Sequence, residues 1–173
     1  CNPNYNDNPS VGYMYGTRRA STYAATHANT NESAMKTYID EWYRTNFDAE
    51  AVSKLEDIVF CNDRSTTTGT NNNTLGSSFG SLGYGMNATA YGAAARASYY
   101  TTTPRPSLVC TNTNDKFTVN STNGNGKLTY PVGLITLDEA VFAGYNTCAS
   151  NSSNCENTTN YLHTGQHYWT FSP

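Results

Sequence analysis

Residues 127–173 constrain the fold of this chain more than any other stretch, because they carry a complete signal for the start and the end of a helix. Thr136 and Glu139 match a capping box: the Thr136 hydroxyl accepts from the backbone N–H of residue 139, and the Glu139 carboxylate accepts from the N–H of Thr136. Apolar residues then continue to Gly144, and glycine suits the end of a helix. We therefore predict a short helix over residues 137–143.

Strand signals lie on both sides of this helix. Residues 128–135 form an apolar run that Pro131 and Gly133 interrupt, and residues 161–171 form a second block rich in large aromatic residues. Both blocks are typical of β-strands. The order predicted for this part of the chain is strand, helix, disulfide-closed loop and strand.

The clearest helix elsewhere covers residues 33–46, with Ser33 or Asn31 as its N-terminal cap. Apolar residues recur there at helical spacing, namely Met35, Ile39, Trp42 and Tyr43. Charged residues fall mainly on the other side, namely Lys36, Asp40, Glu41 and Arg44. We interpret the apolar stripe as a face packed on the core rather than as a ligand groove.

One core is expected to join this helix to the sheet that residues 128–135 and 168–171 would form. A helix with a single apolar face is most simply covered by one face of a sheet. The predicted members of this core are Trp42, Leu134, Ile135, Phe142 and Trp169.

Shorter elements are also predicted. Asp48 can cap a further helical turn, residues 115–119 favour a short strand, and residues 123–126 carry a turn signal. An alternation typical of a half-buried strand occurs at Val11, Tyr13 and Tyr15.

Asp63 and Arg64 follow Cys61 and allow two interpretations. The pair can be a catalytic or ligand-binding site, or it can be a buried hydrogen-bonded cluster that fixes loops. We favour the second interpretation, because arginine offers five donors to nearby carbonyl groups.

The composition excludes some classes of protein. Charged residues make up 13% of the chain, against about 25% in a typical globular domain, and the net charge is −3. There is no basic stripe, which disfavours nucleic-acid binding, and no apolar run approaches the ~20 residues of a membrane span. A surface rich in Asn, Ser and Thr, together with 14 Tyr, indicates an extracellular or cell-surface protein.

The cysteines are interpreted as structural staples rather than as zinc ligands, because no close Cys-x-x-Cys pair occurs. Spacing alone leaves several connectivities open. We predict the pairs Cys61–Cys110 and Cys148–Cys155, with Cys1 free or paired elsewhere.

A long stretch over residues 66–103 shows no regular period and consists mainly of Thr, Asn, Gly, Ser, Ala and Tyr. Such stretches in compact domains are usually functional surface loops. Aromatic faces stack on the C–H patches of sugars, while amides bind their hydroxyls, so we predict ligand contacts from loop tyrosines. The predicted ligand-binding residues are Tyr84, Tyr91, Tyr99, Tyr100 and Tyr145.

Six ordered blocks resemble a known family. They are the motif GYMYG at residues 12–16, the block around the helix at 26–43, FCNDRS at 60–65, the segment 110–118, the segment 128–144, and YLHTGQHYWTFSP at 161–173. Together they resemble the DUF6273-type domain of uncharacterised surface and secreted proteins from gut Firmicutes. The resemblance covers residues 11–173, which is nearly the whole chain.

The last two blocks also resemble, more loosely, the C-type-lectin-like superfamily that includes formylglycine-generating enzymes. This resemblance implies an α+β fold with two helices, a small twisted antiparallel sheet and long irregular loops. Residues 1–173 would then form a single C-type-lectin-like domain that lacks its C-terminal strands.

No catalytic residues, metal ligands or cofactor are predicted. His163 and His167 lack an accompanying glutamate of the HExxH type, and the N-terminus of a helix explains Asp138 and Glu139 without catalysis. The leading hypothesis is a non-catalytic module that recognises a glycan or a protein on a host or cell surface. A self-assembling subunit of a surface filament or layer is the first alternative, and an enzyme of the formylglycine-generating type is the second.

Overall fold

A computed structural model of the chain describes residues 9–65, 92–93, 96, 106–144, 161–162 and 170–172. In this part of the chain, short helices combine with two small antiparallel sheets, which is an α+β arrangement. The elements are β1 (Met14–Tyr15), α1 (Tyr23–Thr26), β2 (Asn31–Glu32), α2 (Ala34–Asn46), α3 (Ala49–Val52), β3 (Phe60–Cys61), a 3₁₀ turn (Thr113–Asp115), β4 (Lys116–Phe117) and α4 (Leu137–Phe142).

Each sheet is a single antiparallel pair of two-residue strands. In the first, Met14 of β1 lies opposite Glu32 of β2, and in the second, Phe60 of β3 lies opposite Phe117 of β4. Isolated two-stranded ladders are marginally stable in water, so side-chain packing must hold both in place. The predicted strand at residues 115–119 is confirmed over its centre by β4.

The hydrophobic core is centred on the buried ring of Tyr13. This ring stacks on Phe117 at 4.7 Å and meets Phe171 edge-on at 4.3 Å, and Phe60 lies 5.8 Å away. A Cβ atom at Gly133 would clash with the phenol group of Tyr13, so glycine lets the chain cross close to this ring. The predicted half-buried strand at Val11, Tyr13 and Tyr15 forms only over Met14–Tyr15. Val11 and Tyr13 are buried, but Gly12 between them is buried as well, so the expected alternation is absent there.

The predicted core membership is wrong in two places. Trp42 is 46% exposed and Phe142 is 67% exposed, whereas Leu134 packs against the core as expected and Ile135 is half-buried. Trp169 lies outside the described residues. Aromatic rings around Tyr13, namely Phe60, Phe117 and Phe171, form the core to which Trp42 was expected to contribute.

The predicted strand over residues 128–135 does not form. Pro131 has no N–H to donate, and the N–H of Val132 turns back to the carbonyl of Tyr130 at 2.8 Å. The segment is attached instead by the buried side chain of Leu128 and by the bond from its N–H to the Thr118 carbonyl at 3.0 Å.

Helix α2 begins as the sequence predicts. Ser33 Oγ accepts from the N–H of Lys36 at 3.0 Å and donates to the carbonyl of Gly12 at 2.6 Å, which attaches the helix to the chain before β1. The predicted assignment of its faces is wrong in part, because the buried side chains are Lys36, Asp40 and Tyr43. Lys36 can be buried because its ammonium group donates to the Asp40 carboxylate one turn along the helix.

The remaining helix caps agree with prediction. Asp48 accepts from the N–H of Ala51 at 2.8 Å and starts α3. In α4 the capping box is complete, with Glu139 accepting from Thr136 N–H at 2.7 Å and Thr136 accepting from Glu139 N–H at 3.2 Å. Gly144 has a φ of 91° just after the helix, a conformation that glycine adopts without strain.

Two further predictions concern covalent and turn geometry. The disulfide Cys61–Cys110 is confirmed, and its cysteines are separated by 49 positions in the chain. The turn at residues 123–126 is also confirmed: Asn125 N–H donates to the Lys116 carbonyl at 2.8 Å, and Gly126 has a φ of 61°. Cys148 and Cys155, the second predicted pair, lie outside the described residues.

Candidate functional site

Arg64 is the centre of a buried polar cluster, which we call the Arg64 cluster. Its Nε donates to Asp115 at 2.7 Å, one Nη donates to the Met14 carbonyl at 2.9 Å and to Asn29 at 3.0 Å, and the other donates to the Asn114 carbonyl at 2.9 Å. The cluster therefore joins β1, the loop before β2, the segment after β3 and the 3₁₀ turn. Asn29 has a φ of 53°, a conformation that asparagine tolerates better than most residues.

This cluster holds the loops together and has no surface open to a ligand. Arg64 and Asp115 are each 1% exposed, and the guanidinium group also lies 5.2 Å from the centre of the Phe117 ring. A buried ion pair needs its remaining donors and acceptors satisfied, and here backbone carbonyls and an amide satisfy them. The interpretation of Arg64 as part of a loop-fixing cluster is confirmed, although its acidic partner is Asp115 rather than Asp63.

His27 lies against this cluster in its neutral form. Its Nδ1 is 2.8 Å from the carbonyl oxygen of Tyr23, and its ring lies 4.1 Å from the Tyr23 ring. Burial, aided by the positive charge of Arg64, lowers the pKa of His27 to about 3. Burial also raises the pKa of Asp115, although Arg64 acts in the opposite direction. Both shifts follow from the burial of these side chains, each of which is 1% exposed.

A second arginine forms a more open cluster, which we call the Arg96 cluster. Arg96 binds Asp138 through Nε at 2.9 Å and Nη2 at 2.6 Å, and the same Nη2 donates to Asp63 at 2.9 Å. Asp138 also accepts from the N–H of Ser107 at 2.9 Å. The Arg96 side chain is 22% exposed, so water reaches this cluster.

The Arg96 cluster attaches residue 96, which belongs to the long stretch of residues 66–103, to the rest of the described fold. Close to it, the N–H of Gly92 donates to the Ser65 carbonyl at 2.6 Å, and a Cβ at Gly92 would lie 2.8 Å from Nη1 of Arg96. Asp138 belongs to α4, so this helix holds the segment through its first turn. Sequence reasoning missed Arg96, because no local pattern links it to a partner 42 residues away.

The five predicted ligand-binding tyrosines lie outside the described residues. They are Tyr84, Tyr91, Tyr99, Tyr100 and Tyr145. Tyr91 directly precedes Gly92 in the sequence, and Tyr99 follows Arg96 by three positions. The described residues Gly92 and Arg96 thus lie within four sequence positions of three of the predicted residues, Tyr91, Tyr99 and Tyr100.

Helix α2 carries a pair of exposed aromatic side chains, Tyr38 and Trp42, which we call the α2 aromatic pair. Tyr38 is 71% exposed and Trp42 is 46% exposed. At 3.6 residues per turn, Trp42 lies roughly 120° around the helix from the buried Lys36. The spacing of four residues was visible in the sequence, but the burial of Lys36 and Asp40, which turns this pair outward, was not.

Exposed aliphatic side chains lie on the segments around the disulfide, and we call this set the aliphatic patch. Its segments are brought together by the Cys61–Cys110 bond and by the bond from Val119 N–H to the Asp57 carboxylate at 2.8 Å. The members of the patch are Ile58, Val59, Leu108, Val109 and Val119.

Metal and acid–base chemistry receive no support from the described part of the chain. No group of three or more His, Cys, Asp or Glu side chains in it is placed to hold a metal ion. Asp138 binds Arg96 and Glu139 completes the capping box, so both have structural partners. His163 and His167 lie outside the described residues. Among the helices that the structure describes, none has the length and apolar character needed to cross a membrane.

The chain matches no protein-family model, and no curated protein and no solved structure shows significant similarity to it. The assignment of a function therefore depends on the clusters and surfaces described above.

Proposed function

We propose that this chain is a non-catalytic recognition module of a bacterial surface or secreted protein, and that it binds a glycan or a protein ligand through its long tyrosine-bearing segment. The observation that carries the proposal is the Arg96 cluster. It fixes Arg96, which lies within a mainly polar stretch of sequence, to the first turn of α4.

Anchoring of this kind favours binding, because a loop that is already held in place loses less conformational entropy when a ligand docks. Binding residues are commonly carried by loops on a rigid scaffold. Here the scaffold is the Arg64 cluster and the Cys61–Cys110 disulfide, and tyrosines lie on both sides of the anchoring residue Arg96 in the sequence.

The family resemblance supports the same class of function. The six sequence blocks resemble the DUF6273-type domain and, more loosely, C-type-lectin-like domains, and the helices and small antiparallel sheets of the described residues are compatible with such a fold. We propose this fold, and with it an extracellular or cell-surface location, on that resemblance.

A glycan array combined with a pull-down from mucus or host-cell extract tests the proposal. We expect a ligand that binds the complete chain and is lost in Tyr91→Ala and in the double variant Tyr99→Ala/Tyr100→Ala. The matched control is Tyr161→Ala, because Tyr161 is a 78% exposed tyrosine outside the segment. Repeated absence of any ligand for the folded protein would rule the proposal out.

A second candidate function is a subunit of a surface filament or layer, and the aliphatic patch favours it. Exposed apolar patches often mark association surfaces, and Val109 is 66% exposed. Sedimentation and negative-stain microscopy at increasing concentration test this candidate. The candidate is supported if the protein assembles and if Val109→Ser and Ile58→Ser prevent this assembly. A strictly monomeric protein would exclude it.

A further inference from the structure

We propose that the α2 aromatic pair, Tyr38 and Trp42, is a stacking site for a pyranose sugar that is separate from the tyrosine-bearing segment. This inference does not depend on which ligand that segment binds. It depends on the orientation of α2, which buries the charged residues Lys36 and Asp40 and leaves two large rings facing solvent.

The two side chains leave the same face of the helix. Side chains four residues apart on a helix have Cβ atoms about 5–6 Å from each other. Tyr38 and Trp42 have this spacing, so their rings can be contacted by one pyranose or by two consecutive sugars of a chain. Aromatic faces carry partial negative charge and attract the partly positive C–H groups on one side of a sugar ring.

The tryptophan is supported from below by a row of aromatic rings. Phe47 meets Trp42 edge-on at 5.5 Å, stacks on the buried Tyr43 at 4.8 Å, and Tyr43 in turn lies 5.2 Å from Tyr130. In addition, the Asn46 amide donates to the Trp42 carbonyl at 2.8 Å. This row limits the freedom of the indole ring before a ligand arrives, which reduces the entropic cost of binding.

Hydrogen-bonding side chains occupy the helix positions next to the pair. Glu41 lies three positions after Tyr38, and Thr45 lies three positions after Trp42, which is the spacing of neighbours on a helix surface. Glu41 is 62% exposed and accepts from Arg44 at 3.0 and 2.6 Å, while Thr45 donates to the Glu41 carbonyl at 2.8 Å. A carboxylate and a hydroxyl can bind sugar hydroxyls.

The size of the exposed area favours a sugar over a protein partner. Tyr38 is 71% exposed and Trp42 is 46% exposed. Since an aromatic side chain has a surface of about 150–250 Å², the pair exposes about 250 Å² to solvent. Each partner in a standard protein–protein interface buries about 800 Å². The pair alone is therefore too small for a stable protein interface, whereas it matches the dimensions of a sugar residue.

The test is a titration of the complete chain with cellotetraose and with lactose, followed by the indole N–H signals in NMR spectra and by tryptophan fluorescence. We expect Trp42→Ala to weaken binding of the better oligosaccharide by about tenfold or more, and Tyr38→Ala by about threefold or more. Tyr38→Ala should melt within about 3 °C of the wild-type protein, since Tyr38 is 71% exposed. Trp42→Ala also loses the contact with Phe47, so its binding is measured well below its own melting temperature.

Matched controls separate this site from the tyrosine-bearing segment. Tyr161→Ala and Phe142→Ala remove exposed rings elsewhere, with 78% and 67% exposure, and should bind as the wild type does. If Tyr91→Ala abolishes binding while Trp42→Ala does not, the recognition function holds and the α2 site is wrong. If the Trp42 signal is unmoved by both sugars, or if Trp42→Ala instead abolishes a concentration-dependent dimer, the sugar site is likewise excluded.

Discussion

The Arg64 and Arg96 clusters both pair arginine with aspartate, but the two pairs have different structural roles. Each joins an arginine to aspartate across a long stretch of chain, yet the Arg64 side chain is 1% exposed and that of Arg96 is 22% exposed. Arg64 is surrounded mainly by backbone carbonyls and an amide, whereas Arg96 is shared between two carboxylates.

This difference shows that burial and the choice of partner decide what an arginine–aspartate pair does. When one member of a buried ion pair is removed, the polar groups that it bound keep neither a partner nor access to water. Such a pair is therefore essential to the fold. A pair that water can reach contributes less to stability, because solvent competes for each hydrogen bond. The first cluster therefore determines the fold, and the second positions a segment on it.

The largest effect is expected for Arg64→Met, which keeps the length of the side chain and removes the guanidinium group. Asp115 and Asn29 would lose their buried partner, so the free energy of unfolding should fall by about 3–5 kcal/mol. Urea denaturation followed by circular dichroism measures the loss.

Arg44→Met is the matched control, because its ion pair with Glu41 is exposed at 60% and 62%. It should leave the free energy of unfolding nearly unchanged, because water competes for both charges. Equal losses for the two variants would contradict the distinction between a buried and an open pair.

The second prediction concerns the disulfide that closes the loop around the Arg64 cluster. The double variant Cys61→Ala/Cys110→Ala should lower the free energy of unfolding by about 3–4 kcal/mol, because the 49-residue separation gives the unfolded chain more freedom. Thermal unfolding without reductant measures this. A change below about 1 kcal/mol would mean that the Arg64 cluster holds these segments without covalent help.

The third prediction is a pH dependence from His27. Its pKa is about 3 in the folded chain, against about 6.5 when unfolded, so the unfolded chain binds more protons between these values. Stability is fully present above the unfolded pKa and falls as the pH drops, by about 2 kcal/mol between pH 7 and pH 5. Denaturation at a series of pH values measures it.

His27→Gln provides the control for this pH profile. It removes the contribution of His27 and leaves that of Asp115, whose raised pKa acts in the opposite direction. The difference between the two profiles isolates the histidine. Identical slopes for the two proteins would show that His27 is not held neutral beside Arg64.

The smallest effect on stability is expected for Arg96→Met. The free energy of unfolding should fall by about 1 kcal/mol, and by less at high salt, because the cluster is partly exposed. Limited proteolysis should nevertheless cut residues 66–105 faster, since their anchor is lost. Arg96→Lys keeps the charge but not the two-point bond to Asp138, so an intermediate rate is expected. Unchanged proteolysis would show that Arg96 is not the anchor.

The elements that the sequence predicted correctly are those that depend on near neighbours. The caps at Ser33, Asp48 and Thr136 bind backbone N–H groups three residues ahead, and the turn at residues 123–126 is similarly local. Such bonds follow from residue type and spacing alone. The disulfide Cys61–Cys110 was inferred as a structural staple, and the structure confirms this pair.

The core and the candidate site could not be predicted in the same way. The outward face of α2 depends on Lys36, which counts as a surface residue until its charge is paired with Asp40 inside the fold. Arg64 binds Asp115, 51 positions away, and Arg96 binds Asp138, 42 positions away. Nothing in the local sequence distinguishes these aspartates from the others.

The long reach of Arg64 has a consequence for how the chain folds. Its partners lie 35 to 51 positions away in the sequence, so the segments that carry them must meet before any of these bonds forms. Closing such loops costs entropy before the contacts compensate for it, and folds dominated by non-local contacts acquire their structure slowly. The two short sheets lie next to the Arg64 cluster, so each is stabilised only when the segments that form the other are also in place. We expect both to form late and in a single cooperative step.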